Sequence, residues 1–270
     1  MVGEGSVRNA PEPCRCRESA AAPNVSDLTT GTAGLYIHGS KDETISVGAT
    51  TGLNMHLGDT ELARITAAGL TVGSSVSGTI TVANVGVSDS DSITDFVTLV
   101  AKKDNKQVNF ATSGSTFYAL AVQADDGVGV AKDITTTTGN MDLNADMDST
   151  TDNSEQVDMS ASVTLTSAAL LTLAAKTNEI NAAGAVTLAG TGGIMIQDTF
   201  AGSGALVANS GALVTVQTGK TVTATNSAVT ITTFEIDLDG SLTSGSAGIT
   251  LLGVTAGQTI GLGNTPKDMQ

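Results

Sequence analysis

Apolar and polar residues alternate along most of this chain. Runs such as "GTITVANVGV", "DFVTLVAKKD", "FYALAVQADDGVGV", "ASVTLTS", "GAVTLAGTGGIMIQD" and "KTVTATNSAVTIT" carry the period of two that marks a strand with one buried face. Thr and Val recur in them because a branched β-carbon suits a pleated surface. Gly, Asn, Asp and Ser separate the runs and supply corner residues that tolerate positive φ. Residues 167–184, "SAALLTLAAKTNEINAAG", hold enough Ala and Leu for a helix, but strand-like runs flank them, so they too read as strand. No segment combines the length and the 3.6-residue period of an amphipathic helix.

Many short strands at near-regular spacing suit either a sandwich or a solenoid. Composition separates the two. Aromatic residues are 3% of the chain, Trp is absent, and charged residues are 14%. A two-layer core recruits rings for bulk, whereas a narrow coil buries only small side chains against the coils above and below. The expectation is an all-β chain: a parallel β-helix, or β-solenoid, of short coils over residues 31–270. At roughly 20–25 residues and about 4.8 Å per coil, it would have about ten coils and measure on the order of 50 Å. Residues 1–30 hold three of the four prolines and both cysteines and lack the strand rhythm; they read as a disordered leader.

The chain also resembles itself at long range. "GLYIHGSKDETISVGATTG" begins at Gly34, and "GITLLGVTAGQTIGLGNTP" begins at Gly248. Both follow G-apolar-x-apolar-x-G, a short gap, then T-I-x-apolar-G. The economical reading is one long repeat of about 215 residues plus the start of a second, so that the chain is a slice of an array.

The formal net charge of −15 argues against nucleic acid, which is bound by neutralising phosphates, and against an anionic membrane surface. No apolar run reaches the ~20 residues of a membrane span. Cys14 and Cys16 stand too close for a relaxed disulfide and lack partners for a zinc site. Asn24–Ser26 forms a glycosylation sequon, which matters only in a secreted chain. No signal peptide is legible in this chain.

"LGDTELARITAAGLTVGSSVSGTITVANV", from Leu57 to Val85, resembles the repeat units of very large secreted repetitive β-solenoid surface proteins of algae and bacteria. Filamentous-haemagglutinin-like adhesins are their architectural relatives. The same stretch is more weakly similar to an element of phage tail-fibre β modules. Both resemblances imply an extended, surface-exposed structural or adhesive protein located outside the cell or on its surface. Neither brings a catalytic motif with it.

Candidate chemistry is sparse. Asp142, Asn144, Asp146 and Asp148 alternate as oxygen ligands do in a calcium loop. The match then departs from the EF-hand pattern: Met147 stands where a turn glycine belongs, and Asn153 stands where a bidentate Glu belongs. The segment is either a calcium loop or a solvated acidic excursion, and calcium is the one cofactor the sequence suggests. "ADDG" at Ala124–Gly127 and "DLDG" at Asp237–Gly240 read as turns. His38 and His56 are the only histidines, and the second copy of the repeat has Leu252 in place of His38. Lys102, Lys103 and Lys106 surround Asp104, a basic cluster of the type a polysaccharide lyase uses, though "KKDNK" also reads as a turn. Thr221, Thr223 and Thr225, then Thr230 and Thr232, rank as outward hydroxyls of the kind that order water or bind ice. These ranks do not recur at one fixed coil period.

The leading expectation is a non-catalytic structural or adhesive module, partnered by neighbouring repeats or other surface components. The alternative is a ligand-binding solenoid for calcium, carbohydrate or ice, and the remote one is a lyase-like enzyme.

Overall fold

The computed structural model describes residues 27–261 except 51–52, 152–153 and 161. Cys14, Cys16 and the sequon therefore lie outside the described residues, as does Asn153. The chain winds as a succession of short parallel strands into a β-solenoid with three long sheets and a two-stranded one. From Phe96 onward each turn lays one strand on each of the three long sheets in order. The first sheet has nine strands, the second ten and the third seven. Nine layers at about 4.8 Å put the first sheet at roughly 40 Å along the axis. The segment read as ambiguous is strand: Val163–Ser167, Leu170–Ala174 and Ile180–Ala182.

Register explains the core. In the first sheet Val72, Leu99, Val122, Leu143, Leu173, Ile196, Val216 and Leu238 stack one above the next. A parallel column of Leu70, Val97, Leu120, Met141, Leu171, Ile194, Val214 and Ile236 runs beside it. Ile45, Ile80, Val108, Val128, Val157, Ile180, Phe200 and Val222 do the same in the second sheet. A one-residue slip in any strand would turn its apolar set to solvent. The interior is less ring-free than the composition suggests, because Phe110, Phe117 and Phe200 are buried in it. Phe200 fills space left by Gly202 two residues on: a Cβ on Gly202 would lie 2.9 Å from the ring.

Strands of the first sheet begin at Gly34, Gly69, Phe96, Ala119, Met141, Leu170, Gly193, Leu213 and Glu235, so a turn takes from 20 residues (Gly193 to Leu213) to 35 (Gly34 to Gly69). The variation lies in the corners. The corner after Asn144 takes twelve residues before Val157, whereas the corner after Ile196 takes three before Phe200. In the first layers the third face holds two short helical turns, Asp59–Leu62 and Val87–Ser90. Each starts with a glycine N–H donating to a carboxylate three residues on: Gly58 to Glu61 Oε2 at 2.9 Å and Gly86 to Asp89 Oδ2 at 2.7 Å.

Polar side chains staple the corners of neighbouring coils together. Asn105 N donates to Asp125, Thr164 N to Asp133, Leu170 N to Asn140, Ala175 N to Asp198, and Ser246 N to Asn226. Such bonds satisfy backbone donors that leave the ladders at each turn. Inside the corner between the third and first sheets, Thr136, Ser167 and Ser210 each donate to a carbonyl three residues on. These hydroxyls are buried yet partnered, as burial demands.

β-structure starts earlier than the leader boundary suggested, since Leu28–Thr29 pairs with Ile65–Thr66. The two self-similar segments occupy different faces. Gly34–Ile37 lies in the first sheet and Ile249–Gly253 in the third.

Candidate functional site

The four residues of the calcium pattern are divided between a strand and the corner that follows it. Asp142 and Asn144 belong to the strand Met141–Asn144 and face outward, but the chain then turns and Asp146 swings into the corner. There its carboxylate is already engaged. Oδ1 accepts from Ser149 N at 2.6 Å, and Oδ2 accepts from Thr177 N at 2.8 Å and lies 2.6 Å from Thr177 Oγ1. The same hydroxyl lies 2.6 Å from Glu155 Oε2. Asn144 Oδ1 accepts from Asp146 N, and Asp148 accepts from Thr150. Among the described residues no group of three or more His, Cys, Asp or Glu side chains is placed to hold a metal ion. In "ADDG", Asp125 and Asp126 are buried corner staples, Asp126 Oδ1 accepting from Ser154 N at 2.7 Å.

His56 Nδ1 lies 2.7 Å from Ser46 Oγ, a base beside a hydroxyl. Ser46 has no exposed surface, because Met55–Leu57 folds back along Ile45–Gly48 on one side and Ile80–Ala83 pairs on the other. Ser46 is thus enclosed, while His56 is half-buried. His38 Nδ1 donates to the adjacent Gly39 carbonyl at 2.9 Å. Lys103 and Lys106 of the basic cluster both pair with Asp42, in the same corner two turns earlier. The Lys103 hydrogen bond, with Lys106 behind it, holds the Asp42 carboxyl below its ordinary value despite some desolvation.

A shallow groove of about 350 Å³ lies on the outer face of the first sheet. Its floor follows from missing side chains. Gly34 and Gly69 stand in register on the outward face, where a Cβ would meet nothing nearer than 3.6 Å and 3.4 Å respectively. Phe96 follows Gly69 in the same file and forms a wall. Beside it runs a second outward file of Tyr36, Thr71, Thr98, Ala121 and Asp142. Tyr36 is 74% exposed. Asp95 and Asp142 are the charged residues in the lining. Asp142 stays exposed, but the groove takes enough water from its carboxyl to raise its pKa. The sequence pattern named Asp142 for another reason and passed over Tyr36 and Phe96. Strand parity was the signal that could have found them: with Leu35, Ile37, Val97 and Leu99 inward, both rings must point out.

The third sheet presents a different surface. Its outward positions form two files, Thr164, Thr187, Val207, Thr230 and Thr250 beside Thr135, Thr166, Ala189, Asn209, Thr232 and Leu252. None is charged. Thr230 and Thr232 stand in these files, while Thr221 and Thr223 belong to the second sheet. The files follow no fixed coil period, because the step between equivalent residues changes from 23 (Val163 to Val186) to 20 (Val186 to Leu206).

No protein-family model, curated protein or solved structure matches the chain, so the functional reading rests on the geometry alone.

Proposed function

We propose that this chain is a non-catalytic structural and adhesive module of a repetitive protein at the cell surface or outside the cell. It acts there as a stiff spacer that displays flat faces. The observation that carries this reading is the unbroken registration of the ladders. From Phe96 onward the inward columns run from coil to coil in all three sheets, so bending or stretching the rod opposes many hydrogen bonds and apolar contacts at once. The corner staples add side-chain links to the same stack. Two measurements test it. Small-angle scattering of the folded chain gives an elongated particle, its longest dimension exceeding the diameter of a sphere of the same mass, and an antibody to the chain labels intact cells of the source organism. A compact sphere would remove the spacer role. Labelling of permeabilised cells alone would remove the surface role.

A second reading, ice binding, is favoured by the uncharged threonine files of the third sheet. Outward positions there repeat about every 4.8 Å along the rod and about 6.6 Å across it, and Thr fills seven of the eleven, offering a partial grid on which water can order. Thermal hysteresis in a folded sample supports this reading, and its absence ends it.

A further inference from the structure

We propose that the groove on the first sheet binds a neutral glycan chain through Tyr36, Phe96, Asp95 and Asp142, an inference that rests on the adhesive reading above and gives it a ligand. The lining combines two chemistries. Tyr36 and Phe96 offer ring faces, suited to the C–H faces of a sugar ring, and Thr71 and Thr98 line the space between them. Asp95 and Asp142 offer carboxylate acceptors, suited to sugar hydroxyls, and hydrogen bonds to an ionised acceptor are the strong ones. Burial already strips part of the hydration from the Asp142 carboxyl; a hydroxyl donor arriving there replaces it.

The geometry narrows the ligand further. The file from Tyr36 to Asp142 spans four ladder steps, about 19 Å at about 4.8 Å each. That length suits several sugar units laid along the rod better than a single ring. A peptide added as a strand would pair with the free edge of Gly34–Ile37 at the end of the sheet, whereas the groove lies on the sheet's face. Uronate or sulfated polymers would meet two carboxylates and a net charge of −15. The floor made by Gly34 and Gly69 gives a direct handle: a Val side chain at Gly69 fills the hollow, its Cβ first meeting Phe96 O at 3.4 Å, an ordinary contact.

The test is affinity electrophoresis of the full chain through gels containing soluble glucan, mannan, galactan or a uronate polymer. The variants are Tyr36→Ala, Phe96→Ala and Gly69→Val, and each sample is also checked by thermal melting and small-angle scattering. At least one neutral polymer should retard the wild type, and the uronate polymer should not. Tyr36→Ala and Phe96→Ala should each weaken binding by about tenfold, the size of a ring that anchors an interface. Gly69→Val should abolish retardation with the melting temperature unchanged or raised. Failure of every neutral polymer to retard a folded rod overturns the glycan inference and leaves the spacer reading intact. Retardation that survives Gly69→Val also overturns it, as does preference for the uronate polymer. Scattering from a compact, non-rod particle overturns the spacer reading instead.

Discussion

Leu173 and Leu238 occupy the same inward column of the first sheet, one in its middle and one in its last layer. Leu173 is fully buried between Leu143 and Ile196, whereas Leu238 rests on Val216 and is 40% exposed. Truncating each to Ala removes the same atoms, so the difference isolates stacking on the second side. For Leu173→Ala, lost transfer energy and an enclosed cavity cost about 2–5 kcal/mol. For Leu238→Ala no cavity closes above the site and part of the side chain is already wet, so the cost is about 1–2 kcal/mol. Urea titration followed by far-UV circular dichroism and by a second probe reads both, with coincident transitions required before the midpoints become free energies. Equal costs would refute the picture of layers held by nearest-neighbour stacking. So would a cost below about 1 kcal/mol for Leu173→Ala.

Gly73 has φ +92°, and a Cβ there would fall 2.2 Å from Val100 O; Gly73→Ala should cost at least about 2 kcal/mol in the same titration. Asp142 titrates higher in the folded chain than in the unfolded one because it loses hydration. The folded state then holds its proton more tightly, and the charged carboxylate penalises folding increasingly as pH rises through the unfolded and then the folded pKa. Asp142→Asn should therefore stabilise at neutral pH, and the gain should vanish below the unfolded pKa; stabilisation that grows toward acid would contradict the sign. Millimolar calcium should leave the melting temperature unchanged, because Ser149 N and Thr177 already engage the Asp146 carboxylate. A clear rise would mean the corner rearranges around the ion.

The strands were legible because parity is local. Val163–Ser167 alternates strictly, and stacked neighbours let Ala and Leu serve as strand interior in Leu170–Ala174. The stacking order was less legible, because corners of unequal length hide the coil period, as the threonine files illustrate. The helical turns at Asp59 and Val87 are four residues long, too short for any periodicity to show. The calcium pattern is split between a strand and a corner for a related reason. Alternation places Asp142 and Asn144 on one face only while the strand lasts, and Asp146 lies past its end. The Ser46–His56 contact depends on Met55–Leu57 doubling back onto Ile45–Gly48, a tertiary choice that no local pattern announces.

The corner between Asn144 and Val157 takes nine more residues than the one between Ile196 and Phe200. Even so, Met141 still stacks on Leu171 and Val157 on Ile180. Chain length at that bend is thus decoupled from the ladder. The bend is a permissive port: a foreign peptide spliced there would ride outside the rod, at a loop-closure cost that grows only with the logarithm of its length. Lineages could vary what is displayed at this point without renegotiating the scaffold.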